Sequence, residues 1–428
     1  MRVYLTSLGC RLNEAELETW ARDFRSHGHQ ISNELTDSDL LVVNTCAVTA
    51  EAVKKSRKIL KRAHRDNPQA KLVVSGCYST LDPDSATAIE GVDLVIPNDQ
   101  KEQLVAQTEK HLDLHTMPAE SVDEDTLFRR GRQRAFIKVQ DGCRYQCTFC
   151  IVTVARGTER SRPIDEIIDE INRIHQQGIQ EAILTGVHLG GYGHDLNLDL
   201  GELLRQIIAR TEIPRIRLSA LEPWDLPDGF WELFDNPRLM PHLHLPLQSG
   251  SNEILRRMAR RCKTDEFSSL TRQARDRVPG FNITTDIIVG FPGETRQHWE
   301  QTMQYVRETG FGHLHIFAYS PRSGTRAAEM DGRISRQELK QRSAELHELG
   351  KQMKRQELER QTGTVHQVLV ERVEEIDDHN NQWWGGYTAN FHRVRFTLPE
   401  NDSNEGSIRE IRVTRLADSG DYLLGELT

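Results

Sequence analysis

The 428 residues of this chain are too many for a single compact core and are enough for two or three domains. Charged residues make up 28% and hydrophobic residues 37% of the chain, which is typical of a soluble globular protein, and its apolar runs fall far short of the roughly 18 residues that a membrane helix needs. The net charge of −9 argues against a general nucleic-acid binder, although a net value can hide local basic patches.

The chain begins with "MRVYLTSLGC", which has the pattern of a strand. It lacks the basic and then apolar layout of a signal peptide. We therefore predict a cytoplasmic protein with no membrane segment.

Residues 1–112 alternate between strand and helix patterns. Four apolar runs, "VYLTSLGC", "DLLVVNTC", "KLVVSGC" and "VDLVI", alternate with helical patterns such as "EAVKKSRKILKRAHRDN". This alternation predicts a parallel α/β domain, which we assign to residues 1–115. The acidic stretch that follows, residues 115–128, has no periodicity and is predicted to be a linker.

A second series of strands and helices runs to about residue 330. Its six candidate strands are "AFIKVQ", "AILTGV", "RIRLSAL", "HLHLPLQ", "ITTDIIVG" and "LHIFAYS". Six βα units predict a (β/α) barrel or part of one, with function at the carboxyl ends of the strands. A long helical pattern of mixed charge follows, and we assign residues 130–360 to this domain.

After Gly363 the sequence alternates apolar and polar residues between turn-rich breaks. The segments "TVHQVLVERV", "YTANFHRVRFTL", "IREIRVTRLA" and "YLLGELT" are typical of strands. They predict a small antiparallel β-barrel over residues 363–428.

Three cysteines, Cys143, Cys147 and Cys150, lie just past the first strand of the second series with C-x3-C-x2-C spacing. Clustered thiolates favour a soft metal, and Fe–S clusters are held by cysteine. Three ligands would leave one iron of a [4Fe–4S] cluster open for a small molecule. A structural zinc site usually takes four protein ligands, and a zinc knuckle or a set of packing cysteines stays open as an alternative.

Three further cysteines, Cys10, Cys46 and Cys77, each end an apolar run. Because the ends of parallel strands meet at one edge of a sheet, where α/β proteins bind ligands, we expect these thiols to lie together. The alternative is that they are buried core cysteines. The seventh cysteine, Cys262, is predicted to be structural.

The motif "GCRYQCTFC", with Phe149 before its last cysteine, resembles that of the radical S-adenosylmethionine (SAM) enzymes. Together with the strand-end cysteines and the terminal barrel, the whole chain resembles the radical SAM methylthiotransferase family. Other motifs that carry this resemblance are "SLGCRLNEAE", "NTCAVTAEA", "VSGCY", "ARGTERSRP", "LTGVHLGGYG", "RLSALEP", "HLPLQSGSNEILRRM" and "TTDIIVGFPGET". The resemblance implies an N-terminal methylthiotransferase domain, a partial (β/α)6 radical SAM barrel and a C-terminal TRAM domain.

The resemblance also implies two [4Fe–4S] clusters. The cluster of Cys143, Cys147 and Cys150 would bind SAM and cleave it to a 5′-deoxyadenosyl radical. The cluster of Cys10, Cys46 and Cys77 would carry the sulfur, and a second SAM would supply the methyl group. Phe149, Gly186 and Gln248 are the implied SAM contacts. The electron donor and the source of sulfur are not specified by the sequence. One departure from the family pattern is "IVTVARG", where Thr153 and Val154 replace a proline and an aromatic residue.

Three basic segments favour a polyanionic substrate. Residues 54–65 carry seven Lys or Arg and no acid, and basic runs recur in 129–162 and 256–263. The motifs "GCRLNEAE" and "LTGVHLGGYG" are most similar to the branch that acts on threonylcarbamoyladenosine in tRNA. We therefore predict methylthiolation of that nucleoside in the anticodon stem-loop.

The C-terminal segment, with twelve acids and six arginines, would need a local face to contact RNA. Aromatic and Arg side chains suit stacking on unpaired bases, and we predict substrate contacts at Arg156, Tyr387 and Arg393. Alternative substrates are isopentenyladenosine in tRNA and an aspartate of a ribosomal protein, which the acidic barrel could bind. A non-catalytic Fe–S sensor or RNA-binding module is the alternative outside the enzyme class.

Overall fold

The structure is a computed structural model that describes residues 1–112, 114, 133–377, 381–398 and 404–428. The predicted acidic linker at 115–128 lies outside the described residues. No helix in the described part of the chain is long and apolar enough to cross a membrane.

The N-terminal region is a five-stranded parallel sheet with helices on both faces. Its strands are β1 (Arg2–Ser7), β2 (Gln30–Ser32), β3 (Leu40–Thr45), β4 (Lys71–Gly76) and β5 (Leu94–Ile96), and its helices are α1 (Arg11–Ser26), α2 (Ala50–Asp66), α3 (Cys77–Leu81), α4 (Pro83–Thr87) and α5 (Leu104–Leu112). The strand order is β2-β1-β3-β4-β5. The sheet is parallel as predicted, but it has five strands because the short β2 pairs with the edge of β1.

This sheet is buried on both faces. One apolar cluster packs α2 against β3 and β4, and a second packs α1 and α5 against the opposite face. Strands buried on both faces read as continuous apolar runs, which explains why "LLVVNT" and "KLVVSG" were recognisable. The sheet therefore presents the carboxyl ends of β1, β3 and β4 side by side.

The second region contains two three-stranded parallel sheets. Its strands are β6 (Arg134–Lys138), β7 (Gln140–Asp141), β8 (Arg160–Ser161), β9 (Glu181–Thr185), β10 (Arg215–Leu218), β11 (His242–His244), β12 (Asn282–Val289) and β13 (His313–Ala318). Its helices are α6 (Val152–Arg156), α7 (Ile164–Gln176), α8 (Leu200–Arg210), α9 (Asn252–Arg257), α10 (Thr264–Arg277), α11 (Arg296–Thr309) and α12 (Arg336–Glu359).

The two sheets are halves of one curved wall. One has the order β10-β9-β6 and the other β11-β12-β13. Parallel bridges between Ile216 and Leu239 and between Ala220 and His244 join them. All six predicted barrel strands are present, so the predicted partial (β/α)6 barrel is confirmed. A large apolar cluster lies between these strands and helices such as α7, α8 and α11.

The C-terminal region is a closed five-stranded barrel. Its strands are β14 (Val365–Ile376), β15 (Gln382–Thr388), β16 (Arg393–Thr397), β17 (Ile408–Leu416) and β18 (Leu423–Leu427). Their order is β14-β15-β16-β18-β17, antiparallel except for the β16–β18 pair. The predicted strand "YTANFHRVRFTL" is instead the end of β15, a turn with Phe391 at a φ of 70°, and β16.

Two buried arginines of β10 hold this barrel on the wall of the larger one. Arg215 donates to the carbonyl oxygens of Tyr387 (3.0 Å) and Gln367 (2.6 Å). Arg217 donates to the carbonyl oxygen of Ala389 at 3.0 Å. Glu181, on the neighbouring β9, balances their charge and lies 2.7 Å from Arg217 Nε. The turn after β15 is therefore fixed against the mouth of the partial barrel.

Candidate cluster sites and the cavity between them

The first cysteine group lies in the loop between β7 and α6. Gly142 starts this loop with a left-handed φ of 74°, and a Cβ at this position would lie 1.9 Å from the carbonyl oxygen of Thr158. Only glycine fits such a close approach at position 142. The Cys150 N–H donates to the carbonyl oxygen of Cys147 at 3.0 Å. The loop thus holds Cys143, Cys147 and Cys150 beyond the carboxyl end of the first barrel strand.

Polar hydrogens point at all three sulfur atoms of this loop. The donors are Tyr145 N to Cys143 Sγ (3.4 Å), Val152 N to Cys150 Sγ (3.5 Å) and Arg260 Nη1 to Cys147 Sγ (3.9 Å). Burial raises the pKa of Cys143 to about 12 and that of Cys150 to about 11. Iron would displace these protons, and hydrogen bonds to sulfur stabilise a bound cluster. This donor set fits a [4Fe–4S] cluster with three protein ligands.

A buried histidine, His188, supports the same loop. Its Nδ1 lies 2.5 Å from Glu159 and its Nε2 lies 2.7 Å from Asp225. Burial disfavours the charged ring, but the hydrogen bonds to Asp225 and Glu159 outweigh it and raise the pKa of His188. The ring of Tyr145 packs edge-on against this histidine with 4.9 Å between centroids. The loop therefore rests on a polar cluster that sequence reasoning did not identify.

The second cysteine group comes from three strand ends. Cys10 precedes α1, Cys46 follows β3 and Cys77 follows β4, and the three line one cavity. Gly9 has a φ of 122°, and a Cβ there would lie 2.8 Å from Cys46 Cβ and 3.0 Å from its Sγ. The structure thus brings together the three cysteines that the strand-end pattern predicts to be neighbours.

The surroundings of the strand-end cysteines also suit a metal cluster. Burial raises the pKa of Cys46 to about 11, and burial raises the pKa of Cys10 although the charge of Arg156 opposes it. The amide nitrogen of Asn98 lies 3.8 Å from Cys77 Sγ. A soft metal that binds thiolate would offset the cost of burying Cys46 and Cys77.

A network of buried charges connects the two cysteine groups. Lys101 contacts Glu16 (2.5 Å) and Asp141, and Arg156 Nη1 contacts the same carboxylates at 2.9 and 3.1 Å. Burial alone would raise the pKa of Glu16, but Arg156 and Lys101 outweigh it and lower this pKa to about 2. Arg156 also donates to Asn13 at 2.7 Å. Because Asn13 follows Cys10 and Arg156 follows Cys150, the network fixes the two sites relative to each other.

Arg156 was predicted from the sequence to contact the substrate. The structure buries its side chain in this network, with only 2% of the side chain exposed. The residue also lines the cavity. Its hydrogen bonds to protein groups favour a positioning role, and contact with the substrate stays a prediction.

A cavity of about 850 Å³ lies between the three regions of the chain. The N-terminal sheet contributes its strand-end cysteines, and the C-terminal barrel contributes the turn after β15. The partial barrel contributes residues at or just after the carboxyl ends of β9 and β10 and residues along β11, β12 and β13. This volume falls in the range that holds a ligand of drug or nucleoside size.

Histidines form much of the cavity wall on β11 and β13. The four are His242, His244, His313 and His315. His244 Nε2 lies 3.1 Å from Asp286, and the rings of His244 and His315 are 5.1 Å apart. Burial lowers the pKa of His313 to about 4 and lowers that of His242 well below its usual value. Sequence reasoning did not single out these residues, but the H-x-H alternation in two strands was a usable signal.

Of the three predicted SAM contacts, Gly186 is the one that lines the cavity. Gly186 lines the cavity just after β9, and a Cβ there would lie 2.8 Å from Gln140 Oε1. Gln248 has a φ of 78°, and its N–H donates to the carbonyl oxygen of Asp286 at 2.8 Å. Phe149 packs edge-on against Phe291, with 6.4 Å between ring centroids. Their contacts with SAM stay predictions.

Tyr387 and Arg393 also line the cavity. Tyr387 stacks on Phe391 with 4.9 Å between ring centroids, and the Arg134 guanidinium lies 4.5 Å from its ring. Arg393 binds both carboxylate oxygens of Glu374 at 2.7 Å. Trp384, on the same strand as Tyr387, is buried in the core of the barrel.

The first basic segment forms one exposed face of α2. A shallow depression on this helix is lined only by Lys and Arg, namely Lys54, Arg57, Lys58, Lys61, Arg62 and Arg65. Asp66 pairs with Arg62 and Arg65, and Asp82 pairs with Arg57. The three lysines have no salt bridge with any acid that the structure describes, so this face keeps a positive charge.

Comparison with known proteins covers nearly the whole chain. Residues 2–97 match the Uncharacterized protein family UPF0004, and residues 137–306 match the Radical SAM superfamily. The threonylcarbamoyladenosine tRNA methylthiotransferase MtaB of Bacillus subtilis (strain 168) is 34% identical over 91% of this chain and 89% of its own. The enzyme of the same name from Thermotoga maritima is 35% identical, over 92% and 94%. A tRNA-2-methylthio-N(6)-dimethylallyladenosine synthase of Bacillus pumilus is 31% identical, over 97% and 84%.

Two solved structures share the fold at low sequence identity. The radical S-adenosylmethionine methyltransferase TsrM from Kitasatospora setae, with cobalamin and a [4Fe–4S] cluster bound, has a TM-score of 0.57 and 16% identity, over 76% of this chain and 77% of its own. The cobalamin-dependent S-adenosylmethionine radical enzyme OxsB has a TM-score of 0.52 and 12% identity, over 77% and 54%. These similarities concern the fold.

Proposed function

We propose that this chain, which belongs to the radical SAM tRNA methylthiotransferase family, acts on N6-threonylcarbamoyladenosine next to the anticodon of tRNA. The reaction would place a methylthio group on C2 of the adenine. Family membership accounts for the reaction class and for tRNA as substrate. The choice of nucleoside is the proposal, and it is supported by the names of relatives at 34% and 35% identity.

The cavity between the three regions is the observation that carries the proposal. It joins the strand-end cysteines to the inner face of the partial barrel, so a nucleoside bound there would contact both. A cavity of about 850 Å³ accommodates a nucleoside with a large N6 group. The proposal assigns one [4Fe–4S] cluster to Cys10, Cys46 and Cys77 of domain 1–115 and one to Cys143, Cys147 and Cys150 of domain 130–360.

The chemistry requires a cofactor because the adenine C2–H bond is unactivated, and no side-chain base removes its proton usefully. When bound, the cluster at Cys143, Cys147 and Cys150 together with SAM supplies a carbon radical for this purpose. The chain's own residues hold the cluster loop through Gly142 and orient it against the strand-end cysteines through Arg156. The turn after β15 of the C-terminal barrel forms part of the wall of this cavity.

Several surfaces of the chain suit an anticodon loop. Phe317 of β13 is 46% exposed and lines the cavity, so its ring is available to stack on a splayed base. The positive face of α2 suits the phosphates of the stem. In this proposal, domain 363–428 contacts the loop through Tyr387 and Arg393. The enzyme would act in the cytoplasm, where its tRNA is found.

Isopentenyladenosine in tRNA is the second candidate substrate. It is favoured by the relatives named dimethylallyladenosine synthases, which are 31–32% identical over more than 90% of this chain.

Nucleoside analysis of tRNA tests the proposal. Total tRNA from a strain that lacks this chain should lose 2-methylthio-threonylcarbamoyladenosine and keep 2-methylthio-isopentenyladenosine. The reverse result would establish the second candidate. A strain that carries the Cys147→Ala chain should match the deletion, and one that carries Cys262→Ala should match the wild type.

A further inference from the structure

Arg11 stands out among the cations of the cavity because it forms no ion pair within the described part of the chain. It lines the cavity next to Cys10 and forms no salt bridge with any carboxylate that the structure describes. The other cavity cations are neutralised: Arg156 by Glu16 and Asp141, Lys354 by Asp421 at 2.9 Å and Arg393 by Glu374 at 2.7 Å. A partly buried guanidinium without a counter-charge is costly unless a ligand supplies one.

The neighbours of Arg11 add positive potential at the same point. Three guanidinium groups surround the ring of Phe391, those of Arg217 at 4.7 Å, Arg134 at 5.4 Å and Arg11 at 5.9 Å. Arg217 is paired with Glu181 and Arg134 with Glu371. The surplus charge of this group therefore belongs to Arg11, which is the member that lines the cavity.

Two buried polar atoms near Arg11 also await a partner. Among the described residues, His242 Nδ1 and Asn282 Oδ1 have no hydrogen-bond partner, and both residues line the cavity. The ring of His242 lies 4.8 Å from that of Phe391, and it stays neutral because burial and the charges of Arg217 and Arg11 depress its pKa. A buried polar atom without a partner points to a missing ligand group.

We infer that Arg11, with His242 and Asn282 beside it, binds the carboxylate-bearing N6 side group of the substrate nucleoside and so selects it over an apolar one. Arg11 pairs with the carboxylate, and the two polar atoms bond to the hydroxyl and amide groups of the same substituent. This inference rests on the proposed function.

The alternative occupant would leave these groups unsatisfied. An isopentenyl group has no polar atom, so its insertion would bury the guanidinium of Arg11 and both polar atoms without partners. A site built to bind a polar group rejects an analogue that lacks it far more strongly than an apolar pocket rejects an added group. The charge of Arg11 is thus a specificity determinant.

Binding of two RNA stem-loops to the full-length, cluster-loaded chain tests this inference. One RNA carries threonylcarbamoyladenosine, and the other carries the same nucleoside with its carboxylate converted to a neutral carboxamide. The wild type should bind the carboxylate form about 10-fold more tightly, as one charge-assisted contact predicts. Arg11→Gln should remove this preference without changing affinity for the carboxamide form, and Arg11→Lys should retain part of it. Lys351→Gln, which removes an exposed charge from α12, is the matched control and should behave as the wild type.

Each outcome is decisive. Equal affinity of the wild type for both RNAs overturns the inference, and this result needs no variant to fold. Equal losses for both RNAs in a folded Arg11→Gln chain would assign Arg11 to backbone phosphate and also overturn it. A wild type that methylthiolates the carboxylate RNA but shows no preference refutes this inference alone. One that leaves this RNA unmodified and methylthiolates an isopentenyladenosine stem-loop refutes the proposed function itself.

Discussion

The two cysteine groups are built in different ways. Cys143, Cys147 and Cys150 lie within eight consecutive residues of one loop, which begins at Gly142. Cys10, Cys46 and Cys77 are more than thirty residues apart, and the strand order β1-β3-β4 brings them to one edge. The first group depends on local backbone geometry and the second on the whole sheet. We expect single substitutions to distinguish the two groups.

The largest expected effect comes from removing one cysteine of each group. Cys147→Ala should abolish formation of 5′-deoxyadenosine from SAM after reduction with dithionite, because the cluster that binds SAM would lose a ligand. Cys77→Ala should keep this cleavage but form no methylthio product. Iron analysis should fall from about eight to about four atoms per chain in both variants. The measurements are chromatography of 5′-deoxyadenosine and iron content of the anaerobically reconstituted chain. Loss of SAM cleavage in Cys77→Ala would show that the two groups do not act separately.

The ion network between the groups offers the next test. Arg156→Met removes the contacts of Arg156 with buried Glu16 and Asp141 and leaves these carboxylates with Lys101 and Lys138, so the free energy of unfolding should fall by about 3 kcal/mol. The double variant Glu16→Gln with Arg156→Met removes one charge of each sign, and it should lose less than the sum of the single variants. Urea denaturation of the apoprotein measures both. Additive losses would mean that the network does not couple the two groups.

The contrast between local and long-range construction also explains which parts of this molecule can be predicted from its sequence. The strands β3 and β4 of the parallel sheet were predictable because they are buried apolar runs, and the barrel strands because apolar residues, in some of them alternating with Arg or His, recur between helical patterns. β2 was missed because three residues carry no periodicity. The C-x3-C-x2-C loop was recognisable from spacing, and the strand-end cysteines from their shared position. Both depend on local sequence.

Features that depend on tertiary partners were not predictable. Nothing near Arg156 in sequence shows that Glu16 would neutralise it. Arg215 and Arg217 sit in an apparent strand, yet their partners are carbonyl oxygens more than 150 residues away. The missing counter-charge of Arg11 is likewise a property of the folded cavity. These residues are the ones that join one region to another.

A substitution of Glu181 tests the contact between the partial barrel and the C-terminal barrel. Burial opposes its ionisation, but Arg217 and its neighbours lower its pKa to about 2. The carboxylate therefore contributes stability above its unfolded pKa of about 4.3, and this contribution disappears as the pH falls towards 2. Glu181→Gln should reduce the free energy of unfolding by about 3 kcal/mol at pH 7 and by less at pH 3. Urea denaturation at pH 7 and at pH 3 measures this loss of unfolding free energy.

The control for this prediction is an exposed pair. Glu300→Gln breaks its contact with Arg296, where both side chains are more than half exposed. Its effect should be much smaller than that of Glu181→Gln, because an exposed pair contributes little to stability. If Glu181→Gln were as mild as this variant, the carboxylate would not hold the junction.

The smallest expected effect is that of Cys262→Ala, the cysteine outside both groups. Its thiol is buried, and burial raises its pKa to about 12, so it is a neutral packing group. Removing one sulfur atom from a packed core should cost about 1 kcal/mol of unfolding free energy. Iron content, SAM cleavage and product formation should equal those of the wild type. A loss of iron in this variant would mean that a seventh thiol takes part in cluster binding, and the division of the cysteines into two groups of three would be wrong.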